Sequence, residues 1–279
     1  MTFQTILAPV ERHDLIGAVF DCAAALGRVT GGYIEAVPIR SLMADVYIAG
    51  AFGGVPVPQV PPPGESVVEL RRIADGHASR LGLPGGALSG SGLRYGWPDT
   101  SPLDDIALAA RARAFDITVF GRPRRDGSGP RMGALEATLF ESGRPILIAP
   151  PRQGASLGER IAIAWNGSTE TARAIGFAMP LLERAKSVLV SSIEGVGVPG
   201  PSGAEIAAGL SANGIRTEER LVAAGGRAPG EAFLSEATSW GADLLIKGAY
   251  TQSRLRQMIF GGATSHILTA AELPVFMAH

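Results

Sequence analysis

The stretch from Lys247 to Thr264 holds the residue types of an anion site. It leaves the carboxyl end of the apolar run Leu244-Leu245-Ile246, turns at Gly248, and returns through Gly261 and Gly262 to the start of a helix. Backbone N–H groups at a helix N-terminus are unpaired and point along a favourable dipole, and glycine lets a phosphate approach the main chain. Arg254 and Arg256 follow the turn, where they either steer an anion or form a solvated loop face. A second candidate is Ala164-Trp165-Asn166-Gly167-Ser168, which places the Asn166 amide just past the end of another apolar strand. Asn166 can hydrogen-bond a ligand hydroxyl without supplying charge, or the segment can be a turn followed by an N-cap. The first reading gains weight because Asn166 would face the Gly248 turn across the carboxyl edge of one sheet.

Catalytic chemistry has less to stand on. Ser168 and Ser265 have no His/Asp partner in local sequence, and no Gly-x-Ser-x-Gly elbow occurs. The four histidines, at 13, 77, 266 and 279, show no metal-ligand spacing, so no metal site is expected. His266, two residues beyond Thr264, would reach a phosphate or serve as an ordinary satisfied histidine. The single cysteine, Cys22, excludes an internal disulfide, and its apolar setting reads as a small buried side chain. Gly225-Gly226-Arg227 before Pro229 would line the same sheet edge or form a simple loop.

The elements that must position these residues occur twice. Ile6-Leu7-Ala8-Pro9-Val10 opens a unit that closes on Pro145-Ile146-Leu147-Ile148-Ala149, and Ile161-Ala162-Ile163-Ala164-Trp165 opens another that closes on Pro274-Val275-Phe276-Met277. In the first unit, periodicity predicts strands over 4–10, 33–37, 93–95 and 115–121, with helices over 13–28, 65–81, 102–114 (Ser101 as N-cap) and 134–142. The second repeats them: helices over 169–183, 203–213 and 229–240, strands over 187–191, 216–222 and 242–248, and a last helix after Gly262. An Asp stands before the most apolar strand of each copy, Asp116 and Asp243, and that strand ends in Gly121 or Gly248. Such continuous apolar runs suit strands buried on both faces of a parallel sheet. The fold class is therefore α/β: two tandem doubly wound five-stranded parallel-sheet domains, 1–151 and 159–279, joined through Pro150 to Gly158.

The opening strands lie 155 residues apart (6 to 161), whereas the two Asp positions lie 127 apart, so the first unit carries an insertion. It falls at about 41–64, where Pro56, Pro58 and Pro61-Pro62-Pro63 deny regular hydrogen bonding. Its apolar residues, among them Tyr47 and Phe52, suit packing on the other unit, covering a pocket or binding a partner. A net charge of −1 with a pI near 6.4 argues against nucleic acid as a partner, which would need a basic face. The start of the sequence shows no basic signal region, and no run of about 18 apolar residues occurs. A cytoplasmic protein with no membrane segment is expected.

In its Gly-Ala-Tyr-x-x-Ser-Arg (248–254) and Phe-Gly-Gly-x-Thr (260–264) segments, and in the repeat itself, the sequence resembles the universal stress protein family, in its tandem bacterial form. The resemblance implies an adenine nucleotide alpha hydrolase-like fold. ATP-binding members carry Gly-x2-Gly-x9-Gly-Ser/Thr; here Gly248 and Gly261 match, Thr251 replaces the second glycine, and Gly262 holds the Ser/Thr position with Thr264 two residues on. Asn166 stands where the family places an Asp. By resemblance, Ala164, Asn166, Gly248, Thr251, Arg254, Gly261, Gly262, Ala263 and Thr264 would bind ATP or another adenine nucleotide. Losing one charge-assisted hydrogen bond to phosphate costs about 1.5–3 kcal/mol, roughly ten- to a hundredfold in affinity. The resemblance also implies a stress-response role as a nucleotide sensor or regulatory module, with no enzyme activity. It further implies pairing of the two closing strands into an internal pseudo-dimer with pseudo-two-fold symmetry, and leaves open a homodimer of chains. The alternative is a non-nucleotide-binding stress or interaction protein that works by dimerisation or by docking a partner. A nucleotidyl transferase of related fold would need the His-containing phosphate motif that such transferases use, which is absent, while weak ATP hydrolysis stays open. The first copy runs Gly121-Arg122-Pro123 to Pro130 into its last helix, and its prolines remove donors a phosphate would use, so it reads as a degenerate site.

Overall fold

The computed structural model describes residues 3–11, 13–40, 67–123, 129–249 and 262–279. The insertion at about 41–64, together with Thr251, Arg254, Arg256 and Gly261, lies outside the described residues.

The first half runs β1 (Thr5–Val10), α1 (Ile16–Thr30), β2 (Tyr33–Pro38), α2 (Val67–Arg80), β3 (Arg94–Gly96), α3 (Asp105–Ala112), β4 (Ile117–Gly121), α4 (Met132–Glu141) and β5 (Ile146–Ala149). The second runs β6 (Arg160–Ala164), α5 (Thr169–Leu182), β7 (Ser187–Ile193), α6 (Gly203–Ala212), β8 (Thr217–Val222), α7 (Pro229–Trp240), β9 (Leu244–Gly248), α8 (Gly262–Ala270) and β10 (Val275–Ala278). The strands form one ten-stranded sheet in the order β3-β2-β1-β4-β5-β10-β9-β6-β7-β8. Each half alone reads 3-2-1-4-5, and the second appears in reverse, which is the signature of a pseudo-two-fold axis at the junction. All strand pairs are parallel except β5 with β10, where Ile148 lies opposite Val275 and Ile146 opposite Met277. Because that pair is antiparallel, the carboxyl edges of the two halves face opposite ends of the sheet.

Each face of the sheet is closed by its own core. One gathers Val19, Phe20, Ala74, Ile175, Leu182 and Leu210 from α1, α2, α5 and α6; the other gathers Leu108, Leu135, Phe233 and Ile267 from α3, α4, α7 and α8. Phe3 packs edge-on against Phe276 at 5.9 Å between centroids, and Arg122 donates to the Ala271 carbonyl at 2.9 Å, so the halves are joined beyond the strand pair. The repeated Asp residues prove to be clasps at the amino edges. Asp116 accepts from the Thr5 N–H at 3.0 Å, and Asp243 accepts from the backbone N–H groups of Gly158, Glu159 and Arg160 at 3.1, 3.0 and 2.9 Å. Each carboxylate ties the start of the central strand to its neighbour.

Two expectations need correction. The cap of α3 is Asp104, whose side chain accepts from the Ala107 N–H at 2.8 Å, not Ser101; the segment 101–104 is extended, and Leu103 instead bonds Pro38 at the end of β2. The third strand is centred one residue later than expected, at Arg94–Gly96, where Arg94, Tyr95 and Gly96 pair with Tyr33, Ile34 and Glu35 of β2, and the Arg94 guanidinium is held by the carbonyls of Ala87, Gly92 and Leu88.

Candidate functional site

The carboxyl edge of β6 and β9 carries the second half's candidate residues. Past Ala164, the chain makes a tight turn at Gly167 (φ 79), a left-handed conformation that glycine accepts without strain, and Ser168 caps α5 by accepting from the Thr171 N–H at 3.2 Å. The Asn166 side chain joins this turn: its Oδ1 accepts from Thr171 Oγ1 at 2.6 Å and from the Ser168 N–H at 3.3 Å. Thr171 in turn accepts from the Gly248 N–H at 3.2 Å. Since Thr171 has one hydroxyl proton and gives it to Asn166, Ser168 must be the donor in the 3.1 Å contact between the two hydroxyls. Asn166, Ser168, Thr171 and Gly248 thus form one directed network linking β6, α5 and β9. Asn166 serves the turn, as one of its two sequence readings anticipated.

Gly248 is required by this packing. A Cβ built there would lie 2.3 Å from the Thr171 nitrogen and 2.6 Å from the Glu170 carbonyl carbon. The absent side chain brings the N-terminus of α5 onto the end of β9. α8 begins at Gly262 and approaches the same strand through its first turn, where Thr264 is 7% exposed. Thr264 Oγ1 accepts from Lys247 Nζ at 2.9 Å, and Lys247 also donates to the Gly248 carbonyl at 2.6 Å. Lys247 is buried, and the loss of solvation holds its pKa down to about 8. Sequence reading placed Lys247 in the motif and gave it no role; its signal was a charge inside a run otherwise buried on both faces. Ala164, Asn166, Gly248, Gly262, Ala263 and Thr264 therefore share one sheet edge, with two helix N-termini and a buried ammonium. His266 follows on α8, and the C-terminal His279 sets its Nδ1 3.0 Å from the Ala249 carbonyl.

The equivalent edge of the first half is filled by its own side chains. Glu11, just past β1, accepts from the backbone N–H of Arg131 at 2.9 Å and from its Nε at 2.8 Å, at the start of α4. The Arg131 guanidinium also lies 2.9 Å from Asp105, whose carboxyl is pushed upward by burial against the opposing pull of Arg131. The Pro130 ring covers Gly121, so that a Cβ there would meet its Cγ at 2.7 Å. An internal carboxylate thus occupies the N-terminus of α4, whereas among the described residues no carboxylate bonds the start of α8. Glu11→Gln is expected to destabilise the protein by about 1–3 kcal/mol, since it removes one of the two carboxylates that balance the partly buried Arg131 and leaves Asp105 as the other. Thermal unfolding of the variant against wild type reads this, and no change would mean that the pair is solvent-screened.

Two grooves among the described residues lie elsewhere: one of about 690 Å³ along α5 from Arg173 to Arg184, and one of about 490 Å³ between α1 and residues 153–159. Neither is lined by the residues of either edge. No group of three or more His, Cys, Asp or Glu among the described residues is placed to hold a metal. No helix among them is long and apolar enough to cross a membrane.

The sequence model of the Universal stress protein family matches residues 158–279. Among solved structures, a universal stress protein from Archaeoglobus fulgidus DSM 4304 aligns over 99% of this chain and 96% of its own, with a TM-score of 0.70 and 14% identity. A putative universal stress protein from Pseudomonas aeruginosa UCBPP-PA14 covers 99% and 93% at 0.54 and 14%. The cytoplasmic domain of a prokaryotic cation chloride cotransporter covers 98% and 94% at 0.50 and 13%. Likeness at such identities is likeness of fold, and this fold serves more than one kind of protein. No curated protein matches the sequence.

Proposed function

Residues 158–279 belong to the universal stress protein family, and on that premise we propose that the second half binds an adenine nucleotide, so that the protein acts in stress response as a nucleotide sensor or regulatory module. The observation that carries this reading is the convergence of the α5 and α8 N-termini and the Lys247 ammonium on the Gly248 edge. Helix N-termini and a buried cation together favour a polyphosphate, and the edge lies where open α/β sheets take their ligands. No residue at the edge among those described resembles an activated nucleophile, and the reading is of binding without turnover. Glu11 and Pro130 fill the first half's edge, so one nucleotide per chain is expected rather than two.

Calorimetry with ATP, ADP and AMP tests this: binding with a stoichiometry near one supports it. No heat and no thermal shift at millimolar nucleotide would defeat it and leave dimerisation or partner docking as the function. Two nucleotides per chain would show that the first half opens.

A further inference from the structure

Lys247 is the group at this edge that neither packing nor the repeat explains. The first half has Phe120 before Gly121, where the second has Lys247 before Gly248. Among the described residues, Lys247 meets two neutral oxygens, those of Gly248 and Thr264, and no carboxylate. The titratable and charged groups on the surrounding elements are Arg160 on β6, Glu170 and Arg173 on α5, Glu231 and Glu236 on α7, His266 on α8 and His279 after β10. None of these is hydrogen-bonded or ion-paired to it. A buried ammonium without a counter-ion is costly unless something negative arrives to join it.

The hydrogen-bond directions show where that charge would sit. An ammonium only donates, so the Thr264 hydroxyl accepts from it and its own proton points away. That proton has no acceptor among the described residues, although Thr264 is 7% exposed. It lies in the first turn of α8, where backbone N–H groups are also without intrahelical partners. The result is a relay of donors from Lys247 through Thr264 to the helix end.

We propose that Lys247 is the buried counter-charge of this site, polarising the Thr264 hydroxyl toward an oxyanion of the ligand, and that binding in alkaline solution takes up a proton at Lys247. The nucleotide identity of the ligand rests on the function proposed above; the oxyanion seat does not. In the free protein the amine loses its proton above about pH 8. A bound oxyanion favours the charged form, so the ligand must draw in a proton there, and affinity falls by up to about tenfold per pH unit until the bound amine titrates.

Lys186 and Lys247 are the only lysines in the sequence, which makes the amine directly observable. The full chain, labelled with ε-13C lysine, is titrated with base alone, with ATP, and with sulfate, which carries no titratable proton in this range. The Lys247 midpoint is expected near 8 in the free protein and at least about one unit higher with either anion. Lys247→Met, checked for folding by circular dichroism, is expected to bind ATP at least about tenfold more weakly at pH 7. If sulfate raises the midpoint but ATP does not bind, the nucleotide reading fails and the oxyanion seat stands. ATP binding that leaves the midpoint unmoved, or that keeps wild-type affinity in Lys247→Met, overturns the role of Lys247 and spares the nucleotide reading. If neither anion moves the midpoint and ATP gives no heat, both fall. The wild-type titration decides the matter even should the variant not fold.

Discussion

Gly248→Ala is expected to destabilise the protein by about 3–5 kcal/mol, the sum of overpacking against backbone and a lost buried hydrogen bond. The new methyl carbon would lie 2.3 Å from the Thr171 nitrogen, 2.6 Å from the Glu170 carbonyl carbon and 2.7 Å from Thr171 Oγ1. Two of those atoms belong to the main chain of the first turn of α5, which cannot rotate aside as a flexible side chain would. Either the end of β9 or the N-terminus of α5 must move, and both movements break the 3.2 Å bond from the Gly248 N–H to Thr171. Thr171 also orients Asn166, so the disturbance reaches the β6 turn. Gly176→Ala in the same helix is the control: nothing lies within 4 Å of its Cβ, and replacing a helical glycine should add about 0.5–1 kcal/mol. Chemical denaturation of the three proteins gives the comparison. Gly248→Ala unfolding like wild type would mean that the close approach of α5 to β9 is wrong, and the shared edge with it. The same variant bears on the ligand, because a glycine at this position is often credited to phosphate approach. Here helix packing alone demands it.

What could be read from the residues divides along the range of the interactions. Hydrophobic period and the doubled order of signals carried the fold, because β4 and β9 are buried on both faces and tolerate little else. Asp116 and Asp243 were visible as repeated positions, yet their partners, Thr5 and residues 158–160, are far away in the chain, so their use as clasps was not. Nothing in the sequence around Glu11 marked it for a partner. That Glu11 reaches the amide of Arg131, 120 residues on, depends on β1 lying beside β4 and on α4 starting above them. Ser101 and Asp104 are equally good cap types three residues apart, and the choice between them falls to the bond between Leu103 and the end of β2. Lys247 was hidden for a related reason. A lysine at the end of a strand usually carries its amine into water, and only the descent of α8 onto the strand seals it in.

That sealing has a consequence for stability, measured without any ligand. Lys247→Met is expected to raise the stability of the free protein by about 3 kcal/mol at neutral pH, because a buried ammonium that meets no carboxylate among the described residues gives way to an apolar chain of similar length. The pKa of Lys247 falls from an ordinary 10.5 to about 8 on folding, so between those values the unfolded chain holds more protons than the native one. Stability of the wild type therefore climbs as pH rises from about 8 to 10.5, and below 8 the full cost persists. The variant should lack this climb, so the gap between the two proteins should be widest at pH 7 and narrow toward pH 10. Comparing both proteins at each pH by urea denaturation cancels every other titrating group, including Tyr33, whose hydroxyl burial pushes up to about 12. A Lys247→Met variant less stable than wild type at pH 7 would show that the ammonium already has a counter-charge, and would remove the ground for an anion seat. A more stable variant that binds ATP poorly would show that the free protein keeps an uncompensated charge at the root of α8, where a bound phosphate would neutralise it.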